Sequence, residues 1–462
     1  MPSIVSELKS LTAYLAGLLI TVTIVSNTNL DTSQIISVTT FIAIILGAIF
    51  FWRLRLAFAL AGVSALLFLK VLDVPHLMKY AHFDVILFLM GMMIVIGFLE
   101  EQGFFEHILE ILSKYFSRSG FMLVAGLLLM SATFAALVDE VTSILFMTAL
   151  TLRITKRYDL DPLPMVIATV MATNVGSSFT VVGNPIGVLI AFEGGLSFLD
   201  FIRWATPVGV VVLMLTIMLV FVYWRPYITK LDGMMNLLGR LSLDREIDKR
   251  KMRVSWAVFL CTICGLVLHH PLEELLHLER NTLLLAVPLI MAGITLFISR
   301  EQARGLVEHR VDWWTLAFFI FFFSTVGTLS YTGVTEIMAE TIITFAGGNP
   351  LLIATLITWT AGILSAFMDN ILAVATLISI VHGLEAYGYH IFPTWWGMLF
   401  GACYLGNLTM IGSTANIVAL GILEKERGRH IHFLDWFKPG LAIAVPELAL
   451  ATVLLLLQHF IF

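Results

Sequence analysis

The sequence predicts an all-α polytopic membrane protein with about 11 transmembrane helices, two re-entrant helical hairpins and two broken helices, arranged as two inverted repeats. Three observations predict this fold. Of the 462 residues, 59% are hydrophobic and only 13% are charged, whereas soluble domains carry about a quarter charged residues. Many apolar stretches reach the roughly 20 residues that a helix needs to cross a ~30 Å hydrocarbon core. The polar motifs of the first half recur in the second half about 230 residues later.

Hydropathy predicts the transmembrane segments, and two apolar runs are too long for a single crossing. The long runs cover residues 120–155 and 350–382, and their centres hold Asp139 and Asp369. We interpret both runs as helical hairpins that enter and leave the membrane on the same side. Full crossings are predicted near residues 11–27, 33–51, 56–72, 83–101, 165–193, 205–223, 254–269, 282–299, 312–330, 394–424 and 440–461.

The distribution of positive charge supports the two hairpins and predicts the orientation of the chain. Cytoplasmic segments of membrane proteins carry an excess of Lys and Arg. With a cytoplasmic N-terminus and two re-entrant hairpins, 23 of the 27 Lys and Arg residues lie on the cytoplasmic side, and the exceptions are Lys70, Lys79, Arg203 and Arg280. Treating either hairpin as a single crossing destroys this bias. The chain is therefore predicted to be a multi-pass protein of the cell (inner) membrane, with its C-terminus outside.

The charge pattern also divides the chain into four segments. Residues 1–30 form an extra N-terminal transmembrane helix, and residues 31–224 form the first repeat. Residues 225–253 are charged and are predicted to lie along the cytoplasmic surface as an amphipathic linker. The second repeat covers residues 254–462. A lipid bilayer is the predicted environment, and nothing in the sequence indicates nucleic acid as a partner.

Four pairs of features define the repeat, and the first is Asp84 and Asp312, each of which lies at the start of a span. AALVDEVTSILF around Asp139 matches SAFMDNILAVAT around Asp369, and GSSFTVVGNPIG from Gly176 matches GNLTMIGSTAN from Gly406. FLDFIRWATPVG from Phe198 matches FLDWFKPG. Each half contains five full crossings, and two similar halves separated by an odd number of crossings face in opposite directions. Inverted repeats of this kind place the binding site of a secondary transporter near the midplane of the membrane.

The predicted coupling site consists of Asp139 and Glu140 in the first hairpin and Asp369 and Asn370 in the second. An ionisable group inside the membrane costs several kcal/mol unless it faces water, protein or an ion. Such a carboxyl group can exchange a proton for a cation, so Na⁺ or H⁺ is the expected coupling ion. The alternative is a carboxylate that accepts hydrogen bonds from backbone donors at a helix end. No cofactor, metal site or catalytic residue is predicted.

Polar residues at the hairpin tips and in two interrupted spans are the predicted solute ligands. Unwound backbone inside a membrane is tolerated only where it is buried in protein or lines a cavity. No lysine or arginine lies among these residues, which favours a small, weakly charged or neutral solute rich in oxygen, or a cation. Packing through small residues and ordinary intrahelical hydrogen bonds remain alternatives. The predicted ligands are Thr142, Ser143, Asn174, Gly176, Ser177, Ser178, Thr180, Gly183, Asn184, Asn407, Thr409, Gly412, Ser413, Thr414 and Asn416.

These motifs resemble one branch of the ion transporter superfamily. VDEVTSILFMTALTLRI, NVGSSFTVVGNPIGVLIA and LSFLDF in the first half, with MDNILAV and LGNLTMIGSTANIVALGI in the second, are similar to the arsenite permeases and sodium/proton antiporters. The resemblance implies a scaffold and a transport subdomain in each half, and often a homodimer with elevator motion. Many relatives have Asp-Asn where this chain has Asp139 and Glu140, and Asn where it has Gly187.

Together these features predict a secondary active transporter. The leading hypothesis couples proton or sodium movement to transport of a small inorganic oxyanion or metalloid acid, with arsenite as the family guess. A sodium/proton antiporter and a sodium-coupled di- or tricarboxylate symporter are the alternatives within the same class. A channel predicts a continuous pore without coupling, and a membrane enzyme requires a catalytic constellation that the sequence does not contain.

Overall fold

The computed structural model describes residues 4–105, 107–108, 119–238, 248–427 and 431–461. Within these ranges the chain is helical and contains no β-strand. The basic residues Lys114, Arg118, Arg240, Arg245 and Arg429, which contribute to the predicted orientation, lie outside the described residues. The first repeat and the helix before it contain α1 (Ile4–Ser26), α2 (Thr32–Phe50), α3 (Arg55–Phe68), α4 (Val74–Tyr80), α5 (Phe83–Glu101), α6 (Gly120–Leu137), α7 (Glu140–Arg157), α8 (Leu163–Gly176), α9 (Pro185–Glu193) and α10 (Phe198–Tyr223).

After the linker, the second repeat has the same order of elements as the first repeat. A π-helical turn (Gly401–Leu405) and a 3₁₀ turn (Gly406–Leu408) precede the helix that begins at Thr414. The helices are α11 (Arg225–Leu238), α12 (Lys249–Leu276), α13 (Thr282–Ser299), α14 (Ala303–Arg310), α15 (Trp313–Tyr331), α16 (Val334–Phe345), α17 (Pro350–Phe367), α18 (Asn370–Ala386), α19 (Phe392–Phe400), α20 (Thr414–Arg427) and α21 (Phe433–Ile461).

Ten helices in the described part of the chain are long and apolar enough to span a membrane. Eight of them are predicted full crossings: α1, α2, α5, α10, α12, α13, α15 and α21. The other two, α6 and α17, are the first arms of the predicted hairpins. The remaining predicted crossings contain helices of 14 residues or fewer, because α3 is short and the two interrupted spans are each divided into half-helices.

Each hairpin consists of two antiparallel helices joined by two residues. Hairpin 1 (α6 and α7) turns at Val138 and Asp139, and hairpin 2 (α17 and α18) turns at Met368 and Asp369. In both cases the aspartate side chain accepts hydrogen bonds from the first turn of the second arm, which begins a new helix inside the apolar run. The acidic residue that marks each hairpin in the sequence is therefore the residue that starts its second arm.

Each of the two long interrupted spans is a broken helix. Broken helix 1 is α8 and α9, separated by a 3₁₀ turn over Val181–Gly183. Pro185 occupies the first position of α9, where its missing N–H costs no hydrogen bond. Broken helix 2 is α19 and α20. In both, the chain unwinds where Gly, Asn and small hydroxyl residues replace the apolar run, as the sequence predicts.

The two repeats pack on each other reciprocally. α9 packs against α18 of hairpin 2, and the equivalent α20 packs against α7 of hairpin 1. In the outer part of the molecule α5 packs on α13, and the equivalent pair is α15 on α3. Equivalent elements thus make equivalent contacts across an internal two-fold axis, as expected for inverted repeats. The hairpins and broken helices, with α10 and α21, form an inner group that we call the core unit. The outer helices form the scaffold.

The predicted amphipathic linker begins with a helix. α11 packs on α6, and the Asp232 carboxylate accepts a hydrogen bond from the backbone N–H of Gly120 at 2.6 Å. This contact ties the start of the linker to the start of hairpin 1.

Candidate functional site

Asp139 and Asp369 lie at the tips of the hairpins and cap their second arms. Asp139 accepts hydrogen bonds from the backbone N–H of Thr142 at 2.8 Å and from its hydroxyl at 2.7 Å. Asp369 accepts from the backbone N–H of Ile371 at 3.0 Å and from the hydroxyl of Thr414 at 2.6 Å. Both carboxylates therefore sit at the positive end of a helix dipole, which stabilises a negative charge. Asp369 is also linked by Thr414 to the start of α20.

Glu140 and Asn370 meet where the two hairpin tips converge. The side-chain amide of Asn370 donates to Glu140 Oε1 at 3.2 Å, and both residues are 1% exposed. They occupy equivalent positions 230 residues apart, so their contact marks the internal two-fold axis. Asn370 Oδ1 is buried and has no hydrogen-bond partner among the described residues. An unpaired carbonyl oxygen beside a carboxylate can serve with it as a ligand of a cation, because these oxygen atoms accept and do not donate.

Asn174 bridges the two broken helices. Its amide nitrogen donates to Asn407 Oδ1 at 2.7 Å and to Asn416 Oδ1 at 2.8 Å, and its Oδ1 accepts from the Ser413 hydroxyl at 3.2 Å. The Ser413 hydroxyl lies 3.5 Å from Glu140 Oε1. One continuous polar network therefore joins hairpin 1 to both broken helices in the buried centre of the core unit.

Two threonines attach the broken helices to the hairpins in the same way. The Thr180 hydroxyl donates to the backbone carbonyl of Ala136, and the Thr409 hydroxyl donates to that of Ala366. Each acceptor lies near the end of a hairpin's first arm. Because both hydroxyls are engaged by the protein, these two predicted solute ligands serve to hold each broken helix against the hairpin of its own repeat.

The remaining predicted ligands of broken helix 1 contact the π-helical turn of broken helix 2. Asn184 caps α9 through the Gly187 N–H at 2.6 Å, and its amide nitrogen lies 2.9 Å from the Ser177 hydroxyl and 3.2 Å from Cys403 Sγ. The Ser178 hydroxyl pairs with the Tyr404 hydroxyl at 2.9 Å. Cys403 and Tyr404 carry no signal of their own in the sequence, because they belong to an apolar stretch and are positioned by the π-helical turn.

The predicted glycines act through close packing. A Cβ atom on Gly183 would lie 2.2 Å from the Ser177 carbonyl oxygen, and one on Gly412 would lie 2.3 Å from the Gly406 carbonyl oxygen. A Cβ on Gly176 would lie 2.2 Å from the backbone of Ala132 in α6. These residues allow the unwound segments to fold back on themselves and α8 to approach hairpin 1.

The two hydroxyls just after the tip of hairpin 1 are used locally. Thr142 caps its own helix, and the Ser143 hydroxyl donates to the Ser131 carbonyl at 3.1 Å. Among the predicted ligands, those that converge on the Glu140–Asn370 contact are Asn174, Asn407, Ser413 and Asn416. We call these four residues, together with Glu140 and Asn370, the central cluster.

One basic side chain approaches the site. Arg55, assigned from the sequence to a cytoplasmic segment, is 7% exposed and interacts by charge with Asp369. Its guanidinium lies 3.9 Å from the centre of the Trp52 ring and donates to the Thr315 hydroxyl at 2.7 Å. Trp52 and Asp369 both line a cavity of about 160 Å³ between the scaffold and hairpin 2. Arg55 therefore contributes positive charge beside this cavity.

A second ionisable cluster joins the scaffold to the core unit at the opposite end of α9. His82 precedes α5 in the scaffold, and its Nδ1 lies 3.0 Å from Glu193 Oε1. The other Glu193 oxygen lies 2.9 Å from His382 Nε2 of hairpin 2. Burial lowers the pKa of His82, but its hydrogen bond to Glu193 and the charge of that carboxylate outweigh burial and raise the pKa above its ordinary value.

Comparison with known proteins shows similarity over most of the chain. A family model described as citrate transporter matches residues 41–401. An uncharacterized transporter of Mycobacterium tuberculosis is 32% identical over 411 residues, which cover 87% of this chain and 93% of that protein. The human P protein is 25% identical over 487 residues, covering 88% of this chain and 57% of its own length.

A solved structure supports the fold. The YdaH transporter of Alcanivorax borkumensis matches with a TM-score of 0.56 and 13% identity, over 86% of this chain and 88% of that one. Its title describes an unusual topology. With the apolar helices and the inverted repeats, these similarities identify a multi-pass membrane protein that works as a secondary transporter and not as an enzyme.

Proposed function

Because this chain belongs to the citrate transporter family, we propose that it couples proton or sodium movement to transport of a small inorganic oxyanion or metalloid acid, of the arsenite type. The observation that carries the proposal is the central cluster. It brings a carboxylate, four amide side chains and a hydroxyl from both hairpins and both broken helices into one buried network.

The carboxyl groups are the proposed sites of the coupling ion. Glu140 and the unpaired Asn370 Oδ1 offer oxygen atoms to a cation at the axis, and Asp139 and Asp369 lie one residue away at the hairpin tips. Oxygen ligands suit hard cations, and a carboxyl group also accepts a proton. Sodium and proton therefore compete for the same atoms in this proposal, and no resident cofactor is needed.

The solute is proposed to bind between the broken helices. Hydroxyl and amide groups there donate and accept hydrogen bonds without a formal charge, which suits a small acid with several oxygens. The starts of α9 and α20 point their dipoles at the unwound segments, and helix N-termini attract anionic groups. Arg55 adds a full positive charge beside the hairpin 2 cavity, which favours an anionic solute over a cation on that side.

The proposed cycle is an elevator movement of the core unit against the scaffold in a homodimer, with the N-terminus in the cytoplasm and the C-terminus outside. The division of the molecule into hairpins and broken helices on one side and packed outer helices on the other supports this mechanism. Labelling of single cysteines placed at each terminus, from each side of intact cells, tests the orientation. Crosslinking and mass measurement in detergent test the dimer, and a monomer in both contradicts it.

Two other transport functions have specific support. A sodium/proton antiporter would use the carboxylates of both hairpins as sodium ligands, with no separate solute. A sodium-coupled di- or tricarboxylate symporter agrees with the description of the family model, and Arg55 is a suitable partner for a carboxylate.

A transport assay separates these functions. Purified protein in liposomes would be tested with arsenite, sodium and citrate under imposed proton and sodium gradients. We expect gradient-driven arsenite uptake that is lost in Glu140→Gln and Asp369→Asn and kept in Glu273→Gln. Glu273 is a matched control, because this buried carboxylate accepts from backbone N–H groups at the start of α13.

The same assay contains the results that reject the proposal. Sodium-driven proton movement without arsenite transport favours the antiporter, and sodium-driven citrate uptake favours the carboxylate symporter. If none of the three probes moves under any gradient, the proposed function fails.

A further inference from the structure

A third buried carboxyl group lies in the core unit outside the two hairpins. Glu447 is in the middle of α21 and is 0% exposed. Its Oε1 accepts a hydrogen bond from the Thr216 hydroxyl of α10 at 2.6 Å. Its Oε2 is buried and has no partner among the described residues. The Asn407 side chain is a further polar neighbour of Glu447, and the Asn407 carbonyl accepts a hydrogen bond from Trp436 of the same helix at 3.0 Å, so α21 packs against the central cluster.

The surroundings of Glu447 suit the protonated acid better than the ionised carboxylate. Thr216 and Asn407 are neutral neighbours of Glu447. The titratable group that faces Glu447 is the Tyr404 hydroxyl, which is uncharged and already paired with Ser178. Within the described ranges, no lysine, arginine or histidine is recorded as a partner of Glu447. An ionised carboxylate is thus an uncompensated charge, which is costly at this depth. A protonated carboxyl is neutral, and its O–H on Oε1 can donate to Thr216 Oγ1, because the Thr216 hydrogen can point to the Val212 carbonyl 2.9 Å away.

Glu447 also occupies a special place in the repeat. Thr216 and Glu447 are 231 residues apart, as are Gly209 of α10 and Gly440 of α21. Each glycine lies against the broken helix of its own repeat: a Cβ on Gly209 would meet the Phe179 ring, and one on Gly440 would meet the carbonyl oxygens of Asn407 and Leu408. The contact between Thr216 and Glu447 is therefore a second contact between equivalent positions. The first repeat carries a hydroxyl where the second carries an acid.

Asn407 connects the surroundings of Glu447 to the rest of the central cluster. Asn407 contacts Glu447 and also accepts from Asn174, whose other partners include Ser413 beside Glu140. Asn407 has only two N–H groups, and one of them also reaches the Met171 carbonyl at 3.3 Å. Any solute that engages Asn407 changes which donors remain for Glu447.

We propose that Glu447 is a proton-binding site of the transport cycle, separate from the two hairpins. In this structure it holds a proton. When the central cluster takes up its solute, Asn407 and Thr216 both donate to the carboxylate. The O–H bond of Glu447 then breaks, and the proton leaves to water that enters with the solute. Full burial makes proton exchange slow until that rearrangement, which coupling requires. The role in transport rests on the proposed function, whereas proton binding itself does not.

The first test measures the proton directly and needs no known substrate. Infrared difference spectra of the purified protein across a pH titration report the C=O stretch of a protonated carboxyl group. We expect a titrating band in the wild type and in Glu273→Gln, and its loss in Glu447→Gln. Thr216→Val should shift the band, because it removes the hydroxyl that is hydrogen-bonded to Oε1. The same titrating band in Glu447→Gln and wild type overturns the proposal.

The second test measures coupling in liposomes with arsenite as the probe. Glu447→Gln has the shape of the protonated acid, so we expect it to exchange arsenite across the membrane but to lose accumulation driven by a pH gradient. Accumulation equal to that of the wild type overturns the role of Glu447 in coupling. A wild-type protein that moves no probe rejects the proposed function instead, and the infrared titration still decides whether Glu447 binds a proton.

Discussion

Replacement of Asn174 by alanine tests whether one amide side chain joins the two broken helices. Asn174 donates to the side-chain oxygens of Asn407 and Asn416, at 2.7 and 2.8 Å, and all three residues are at most 1% exposed. Removing the amide leaves two buried acceptors without this donor. Each buried acceptor left unpaired costs about 1–3 kcal/mol, whereas side-chain hydrogen bonds between membrane helices average about 0.6 kcal/mol.

The expected loss follows from these two limits. Two average interhelical bonds give about 1 kcal/mol, and two fully unpaired acceptors give up to about 6 kcal/mol. Because both acceptors are enclosed by packed side chains, we expect the Asn174→Ala variant to lose about 2–4 kcal/mol of unfolding free energy. The assay is denaturant unfolding of the purified protein in detergent, followed by tryptophan fluorescence.

Asn349→Ala is the matched control for this measurement. Asn349 is exposed and caps α17 through two backbone N–H groups, so its loss should cost about 1 kcal/mol. If Asn174→Ala costs no more than Asn349→Ala, the two acceptors have found other donors. Asn174 is then not the bridge between the broken helices, and the argument for a single central network is refuted.

Three further predictions concern other contacts. Thr409→Val should cost about 1–2 kcal/mol of unfolding free energy, because the hairpin 2 carbonyl loses its donor; an unchanged unfolding midpoint contradicts that anchor. Gly412→Ala should destabilise the protein, since its Cβ would lie 2.3 Å from a carbonyl oxygen. Gly421→Ala, with open space around it, should stabilise α20 by about 0.5–1 kcal/mol. Equal melting temperatures of the two variants contradict this prediction. The raised pKa of His82 means that its ion pair with Glu193 is fully stabilising below pH of about 6.5 and weakens as pH rises through the raised value. Melting temperature should therefore fall as pH rises above that range in the wild type, and His82→Gln should remove this part of the slope.

Much of the architecture is predictable because the membrane makes polar residues conspicuous. An aspartate in the middle of an apolar run has few explanations, so Asp139 and Asp369 each mark a hairpin. Asn and Pro in an apolar span predict the unwound segments. The repeated motifs correspond to equivalent packing contacts, since α9 packs on α18 and α20 packs on α7.

The direction of individual side chains is not predictable in the same way. Thr180 and Thr409 are of a residue type that can bind a solute, yet their hydroxyls donate to carbonyl groups of the hairpins. That outcome depends on how the broken helix docks, which sequence spacing does not encode. Glu447 has the signal that identifies Asp139, an acid within an apolar run. Unlike Asp139, Glu447 has no acidic counterpart in the other repeat, where Thr216 stands at the equivalent position. Arg55 lies at the boundary of a span, where the sequence pattern does not distinguish a buried side chain from an exposed one.

The contact between Glu140 and Asn370 has a consequence for how such a protein can arise from a duplicated gene. At an internal axis each residue meets its own copy, so a perfect duplicate would press two acids or two amides together. Two ionised acids about 3.2 Å apart would repel by roughly 5 kcal/mol at an effective dielectric constant of about 20. Two amides would bring no charge to the centre. Divergence of one copy alone leaves a single acid against a neutral partner, so the centre needs just one cation or proton for neutrality. The two halves are no longer interchangeable at this point, although equivalent helices of the two halves pack in equivalent ways.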